Sequence, residues 1–216
     1  MNSENKFDKY LIIVSKSLPL TKEKEDWLTE NFEYVPYTDE DGQSFMEAET
    51  FKAYTALAQL MKKKHHIDIV SHSAGRTVAA QEKVYQDLAK TKDKEWMESH
   101  VANPGESEHH TGLAFDIKFK HVLVPEALSG KALTLASKLG LKKKIFQTIE
   151  KEAVQFGLVK RYHADKESVT GVKEEDWHFR YVGVENAKKM YESGMCLEEY
   201  VKELKLQNEQ SKIKVH

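Results

Sequence analysis

Between residues 113 and 119 apolar and other side chains alternate, with Leu113, Phe115, Ile117 and Phe119 on one face and Ala114, Asp116 and Lys118 on the other. A period of two marks a strand with one buried face. Residues 175–182 repeat the pattern: Trp177, Phe179 and Tyr181 share one side, His178 and Arg180 the other. Shorter apolar runs at 10–15, 67–70 and 158–162 predict three more strands, with regular pairing stopped by Pro19 after the first. Helical spacing replaces alternation over 47–65, where Phe51, Tyr54, Leu57, Leu60 and Met61 form a stripe. It recurs over 78–89, over 146–156 with Gly157 as the cap, over 186–192 stopping at Gly194, and over 197–204. Residues 37–45 read as a polar turn region and 91–106 as an irregular connection. The lysine- and leucine-rich stretch 120–144 yields no clear elements. Without repeats or a linker, these elements predict a single α+β domain over 1–216. It would be a small, mainly antiparallel sheet flanked by helices, with a core over about 10–204 and a polar, frayed tail from 205.

Composition narrows the function classes. A net charge of −2 argues against a nucleic-acid footprint or a polybasic membrane surface. The lone Cys196 excludes an intramolecular disulfide and makes thiolate zinc improbable. No stretch approaches membrane-spanning length, and the apolar run behind the polar N-terminus is too short for a signal core, so a cytoplasmic chain is expected.

The candidate chemistry lies on the polar faces of the two alternating strands. Asp116 is a carboxylate inside an apolar strand, which is costly unless paired or metal-bound. It follows His109 by seven positions, and about sixty residues later His178 follows Glu175 by three. Two imidazoles and a carboxylate from separate segments, with a glutamate close to the last, describe a hydrolytic zinc site: three protein ligands and one open position. Spacing alone leaves a structural metal, or no metal, as alternatives. Among the other histidines, His65, His66, His121 and His216 read as ordinary. His100 and His163 sit in loops without supporting carboxylates, and His72 suits a hydrogen-bonded core role. Arg76, at a strand-to-helix junction, reads from periodicity as a surface arginine paired with a carboxylate.

The wider context is more specific. Ser107-x-His109-x-x-Gly112-x-Ala114-x-Asp116, followed by Glu175-x-Trp177-His178, resembles the signature of the VanY/VanX-type D-alanyl-D-alanine peptidases. Residues 73–77 with Gln81, 102–109, 166–171 and 177–183 are similar to that family as well, and the likeness covers about residues 10–200. Such relatives share a fold with lysostaphin-like endopeptidases and the hedgehog signalling domain. The resemblance implies one zinc per chain held by His109, Asp116 and His178, Glu175 as general base, and Arg76 stabilising the oxyanion. Ser107 and Gln81 would bind the substrate's backbone or terminal carboxylate. The substrate would be a muropeptide precursor or dipeptide ending in D-Ala; length and the missing signal look most like the cytoplasmic VanXY-type members. Three departures stand out: Gly75 where tyrosine is usual, Thr77 for serine and Asp176 for proline. Gly75 is expected to enlarge or reshape one wall of the substrate pocket. An L,D-carboxypeptidase acting on tetrapeptide stems is the nearest rival. A non-catalytic zinc-bearing binding domain, or a closed four-ligand site completed by His110, comes from a different class.

Overall fold

The computed structural model describes residues 9–39, 42–122 and 140–213. Most of the unassigned stretch 120–144, and the N-terminal residues 1–8, lie outside these. Among the described residues, two antiparallel sheets carry the fold. β1 (Tyr34–Asp39) and β2 (Gly42–Glu47) form a hairpin. The four-stranded sheet has the order β3 (Ile67–Ser73), β4 (Ala114–Val122), β6 (Glu175–Tyr181), β5 (Leu158–Tyr162). The helices are α1 (Lys22–Asn31), α2 (Ala48–Leu60), α3 (Val78–Ala89), α4 (Lys94–His100), α5 (Leu141–Ala153), α6 (Glu167–Thr170), α7 (Val184–Ser193) and α8 (Leu197–Ile213).

The alternation in β4 and β6 does what its period requires. Leu113, Phe115, Ile117, Phe179 and Tyr181 are buried in the main core, where Tyr54 and Leu57 of α2 and Ile145, Phe146 and Ile149 of α5 cover them. Phe115 and Phe179 are direct cross-strand partners with rings 6.4 Å apart. A second cluster (Leu11, Val159, Val182, Ala187, Met190, Leu197 and Tyr200) packs α7 and α8 against β5. With helices on both sides, all five β5 residues are buried. Asp116 and His178 are opposed across β4 and β6, so their side chains share the sheet face that is not apolar.

Several expectations change. Residues 10–15 are not a strand: after a 3₁₀ turn (Lys9–Leu11) the chain runs irregularly. Its carbonyls are claimed by side chains, since Arg180 Nη2 donates to Tyr10 O (3.0 Å) and Ile12 O (2.7 Å), and Lys24 Nζ to Ile13 O. The alternation there serves two cores instead, with Tyr10 and Ile12 in one and Leu11 and Ile13 in the other. Residues 37–45 are largely hairpin rather than turn, and the 91–106 connection contains α4. The tail is helical through Ile213.

Candidate active site

His109 lies on a short 3₁₀ turn (Glu108–Thr111) that leads into β4. Ser107 caps this turn, its Oγ accepting from His109 N–H at 3.4 Å, and Gly112 leaves it at φ 69. The turn is held from outside by the hairpin: Glu47 N–H donates to Gly112 O, and Tyr34 OH to Thr111 O. His109 Nδ1 is bonded to Ala74 O at 2.7 Å, which requires the proton on Nδ1 and turns Nε2 inward. Nε2 lies 3.5 Å from Asp116 Oδ2.

His178 is arranged the other way round. Its Nε2 meets Glu108 Oε1 at 2.9 Å, while Nδ1 faces Asp116 Oδ1 at 3.1 Å and Glu175 Oε2 at 3.3 Å. One nitrogen of each imidazole is thus fixed by an outer partner, and the other converges with the Asp116 carboxylate. One ligand atom from each of His109, Asp116 and His178 lies within 4.8 Å of the others. Asp116 Oδ1 is buried and has no well-directed hydrogen bond among the described residues. A buried carboxylate oxygen left over beside two inward-facing imidazole nitrogens fits a cation, and the donor set is that of catalytic zinc.

Protonation behaviour reflects these partners. Burial pushes the His109 imidazole down, more than nearby Asp116 raises it, and the Arg76 charge lowers it further. Burial also disfavours charge on His178, but hydrogen bonds to Asp116, Glu108 and Glu175 outweigh that and raise it well above the usual range. Glu108 would be raised by burial, yet the Arg161 guanidinium, His178 and Arg180 hold it below the ordinary carboxylate range. Asp116 moves down in the same way, under the two imidazoles.

Of the residues expected at the site, His109, Asp116, His178 and Glu175 come together directly. Arg76 is half-buried rather than a plain surface residue. Its backbone N–H donates to His109 O, and its side-chain charge acts on both His109 and His110. Ser107 caps the turn, and Gln81 Nε2 donates to Ala102 O at 2.7 Å. Gln81 Oε1 is buried without a partner among the described residues. His110 does not join the group, because Nδ1 donates to Arg76 O (2.7 Å) and Nε2 accepts from Gly105 N–H (3.1 Å), so both nitrogens are used. That removes the closed four-ligand arrangement. His72 is exposed rather than a core residue.

The departures also find reasons. Thr77 caps α3 by accepting from Ala80 N–H. Asp176 accepts from the buried Lys160 ammonium at 2.6 Å. Gly75 does not leave an open wall, because β2 fills the space. Gly75 N–H donates to Phe45 O and Ser44 Oγ donates to Gly75 O, while a Cβ at 75 would strike Phe45 O and lie 2.6 Å from its ring.

Glu108, Arg161 and Arg180 were not assigned roles by sequence reasoning, though all three are essentially inaccessible. Glu108 Oε2 takes Arg161 Nε (2.9 Å) and Arg180 Nη1 (3.3 Å), and Arg161 forks onto Glu198. The usable signal was two arginines in strands 158–162 and 175–182, which must find an anion once buried.

The chain is also similar to known proteins. The chain is 38% identical over 104 residues to a D-alanyl-D-alanine carboxypeptidase of Enterococcus faecalis, an alignment covering 48% of this chain but 33% of that protein. It is 27% identical to the bifunctional D-Ala-D-Ala dipeptidase and carboxypeptidase VanXYC of Enterococcus gallinarum, over 88% of this chain and 92% of that one. A crystal structure of a mutant of the vancomycin-resistance D,D-pentapeptidase VanY from a VanB-type cassette, in complex with Zn(II), superposes with a TM-score of 0.66 at 26% identity, covering 89% of this chain and 98% of that one. Among the described residues no helix is long and apolar enough to cross a membrane. Residues 43–184 match the family described as VanY, D-alanyl-D-alanine carboxypeptidase, and the chain belongs to that family.

Proposed function

We propose that the chain works as one domain, a zinc-dependent peptidase that removes a C-terminal D-alanine from a D-Ala-terminated peptide or from D-Ala-D-Ala. The observation that carries this reading is the convergence of His109 Nε2, His178 Nδ1 and the Asp116 carboxylate, with Glu175 beside them and no fourth protein ligand taken from His110. His109, Asp116 and His178 would hold one zinc, which when bound polarises the scissile carbonyl and acidifies water. Glu175 takes the proton from the attacking water and returns it to the departing amine; the carbonyl carbon gains the hydroxyl as the C–N bond breaks. Arg76, anchored beside His109, supports the negative charge that develops on the carbonyl oxygen, a contribution of about 3 kcal/mol where such donors have been removed. Ser107 and Gln81 would bind the substrate's backbone or terminal carboxylate, and Gln81 Oε1 has no hydrogen-bond partner among the described residues.

The deciding experiment measures bound zinc together with hydrolysis of D-Ala-D-Ala, a pentapeptide stem and a tetrapeptide stem, with and without chelator. Chelator-sensitive release of D-alanine from the first two substrates is the expected result. Turnover of the tetrapeptide alone would move the enzyme to the L,D-carboxypeptidases. Zinc binding without turnover of any substrate would make it a binding domain. His109→Ala, Asp116→Ala and His178→Ala should each lose the metal, and stoichiometric zinc in any two of them would overturn the ligand set.

A further inference from the structure

β3 and β4 pair in step through Val70 with Lys118 and Ser71 with Ile117, and then they slip. The next paired residue on β3 is Ser73, not His72, and its partner is Asp116. Two residues set against one make a β-bulge, which re-aims the side chains that follow it. Before the slip, Ile67, Ile69 and Ser71 are the buried alternate members of β3, and Ser71 stands opposite the core residue Ile117. After it, Ala74 belongs to the main core, so its extended neighbour Ser73 points to the other face. That is the face of Asp116 and His178. In an unbroken strand Ser73 would have followed Ser71 into the core. The bulge therefore moves one hydroxyl from the apolar face to the face of the candidate metal ligands.

Two buried polar atoms are left over at this pair. Ser73 is 4% exposed, and neither its Oγ nor Asp116 Oδ1 has a hydrogen-bond partner among the described residues. Directly opposed residues on antiparallel strands have Cβ atoms roughly 4.5–5.5 Å apart. At that separation a change of serine rotamer is enough to carry the hydroxyl onto the carboxylate. The Asp116 oxygens face imidazole nitrogens, Oδ2 that of His109 and Oδ1 that of His178. Once those nitrogens serve a cation, they offer Asp116 no proton. The carboxylate oxygen that the cation does not take then needs another donor, because a buried acceptor without one is costly. Ser73 is placed to supply it.

We propose that Ser73 is a positioning residue for Asp116, its hydroxyl donating to the carboxylate oxygen that a bound cation leaves over. The proposal rests on the zinc ligands inferred above. The test sets zinc affinity, from chelator competition, against the denaturation midpoint of the metal-free protein. Ser73→Ala should lose on the order of tenfold in zinc affinity, as other partners of metal-ligating carboxylates do. Its metal-free midpoint should stay level or rise, because the deletion removes a buried hydroxyl that had no partner. Ser73→Thr keeps the donor and should recover most of the lost affinity. Ser71→Ala makes the same deletion on the core face and should bind zinc as wild type does. Equal zinc affinity in wild type and Ser73→Ala overturns the proposal while leaving the ligand set intact. An equal loss in Ser71→Ala overturns it as well. So does a metal-free Ser73→Ala protein that unfolds far more readily than wild type, since the hydroxyl would then serve the fold. If wild type itself binds no zinc, the ligand set fails first and the proposal falls with it.

Discussion

Two buried polar clusters meet at His178, and they differ in how completely their groups are satisfied. On the Nε2 side, Glu108 takes His178, Arg161 and Arg180, Arg161 is forked onto Glu198, and Arg180 spends its remaining donors on Tyr181 O, Tyr10 O and Ile12 O. On the Nδ1 side, Asp116 and Glu175 crowd His178, and Asp116 Oδ1 has no well-directed partner among the described residues. Both clusters are buried and charged, and both displace pKa values. Perturbed titration therefore does not tell the structural cluster from the reactive one. Unfilled valence does. The closed cluster fixes the imidazole's orientation, and the open one presents its remaining nitrogen, as an outer carboxylate does for a metal-binding histidine.

The comparison breaks most visibly if the open side is not catalytic. Glu175→Gln keeps size and removes the base, so turnover should fall by about 10² to 10⁴ with zinc content and fold retained. Loss of zinc in that variant would make Glu175 a ligand, and activity within a few-fold of wild type would exclude it as the base. The closed side should respond in the opposite order. Glu108→Gln takes the buried carboxylate from Arg180 and leaves Arg161 with Glu198 alone, a change expected to cost about 3–5 kcal/mol of stability in chemical denaturation. Metal affinity should also fall, by about 10- to 100-fold in chelator competition, because His178 loses its outer carboxylate. Should that variant fail to fold, Glu198→Gln removes a partner that is 20% exposed and gives a milder version of the same measurement. An unchanged metal affinity in a folded Glu108→Gln protein would show that the two clusters are independent.

Smaller in effect, but more local, is the support behind the other imidazole. Ala74 O receives His109 Nδ1–H, Ala74 N–H donates to Asp39 Oδ2, and the hairpin binds both polar groups of Gly75. Gly75→Ala drives a methyl into the Phe45 backbone, so it should destabilise the metal-free protein by about 1–3 kcal/mol. Phe45→Ala should not rescue it, since a backbone oxygen is the obstacle. Rescue would mean that the ring alone sets the spacing.

Legibility from the sequence followed the strength of the periodic signal. β4 and β6 were readable because their apolar faces are unbroken, and the same alternation singled out Asp116 and His178 as the members on the wrong side. The hairpin was not readable. Pro36, Thr38 and Asp39 dilute its alternation, and backbone contacts with Gly75 and Gly112 help hold it in place beside the burial of Met46. α1 buries only Leu28, so it carries no stripe for a period to reveal. The apparent strand at 10–15 failed because apolar alternation reports two-sided burial, not a ladder. Glu108 escaped notice for a related reason. A carboxylate next to a ligand histidine looks like a solvated neighbour until the arginines that neutralise it are brought across from β5 and β6.

The smallest effect expected is at Asp176, and it tests how tightly Glu175 depends on its neighbour. Lys160 is buried on β5, with its ammonium shared between Asp176 (2.6 Å) and Glu174 (2.8 Å). Burial disfavours that charge, but the two carboxylates outweigh the penalty and raise the lysine above its usual range. Asp176→Asn removes one of the two, and Glu174 remains to satisfy Lys160. Asp176 is 28% exposed and Lys160 keeps Glu174, so the loss should be about 1 kcal/mol or less and the melting transition should move little. Because folded Lys160 is raised, its contribution is present below its unfolded value and is lost as pH rises through the folded one. The difference between wild type and Asp176→Asn should therefore shrink in alkaline solution, where Lys160 loses its proton. Zinc content should be unchanged, since Asp176 touches none of the three candidate ligand atoms. Turnover is the sharper readout. Asp176 precedes the Trp177–His178 pair and follows Glu175, so if the Lys160 pairing fixes the entry of β6, kcat should fall several-fold with stability nearly intact. Identical kcat in the two proteins would show that the strand pairing of Glu175 with Tyr162 positions the base without help from the lysine.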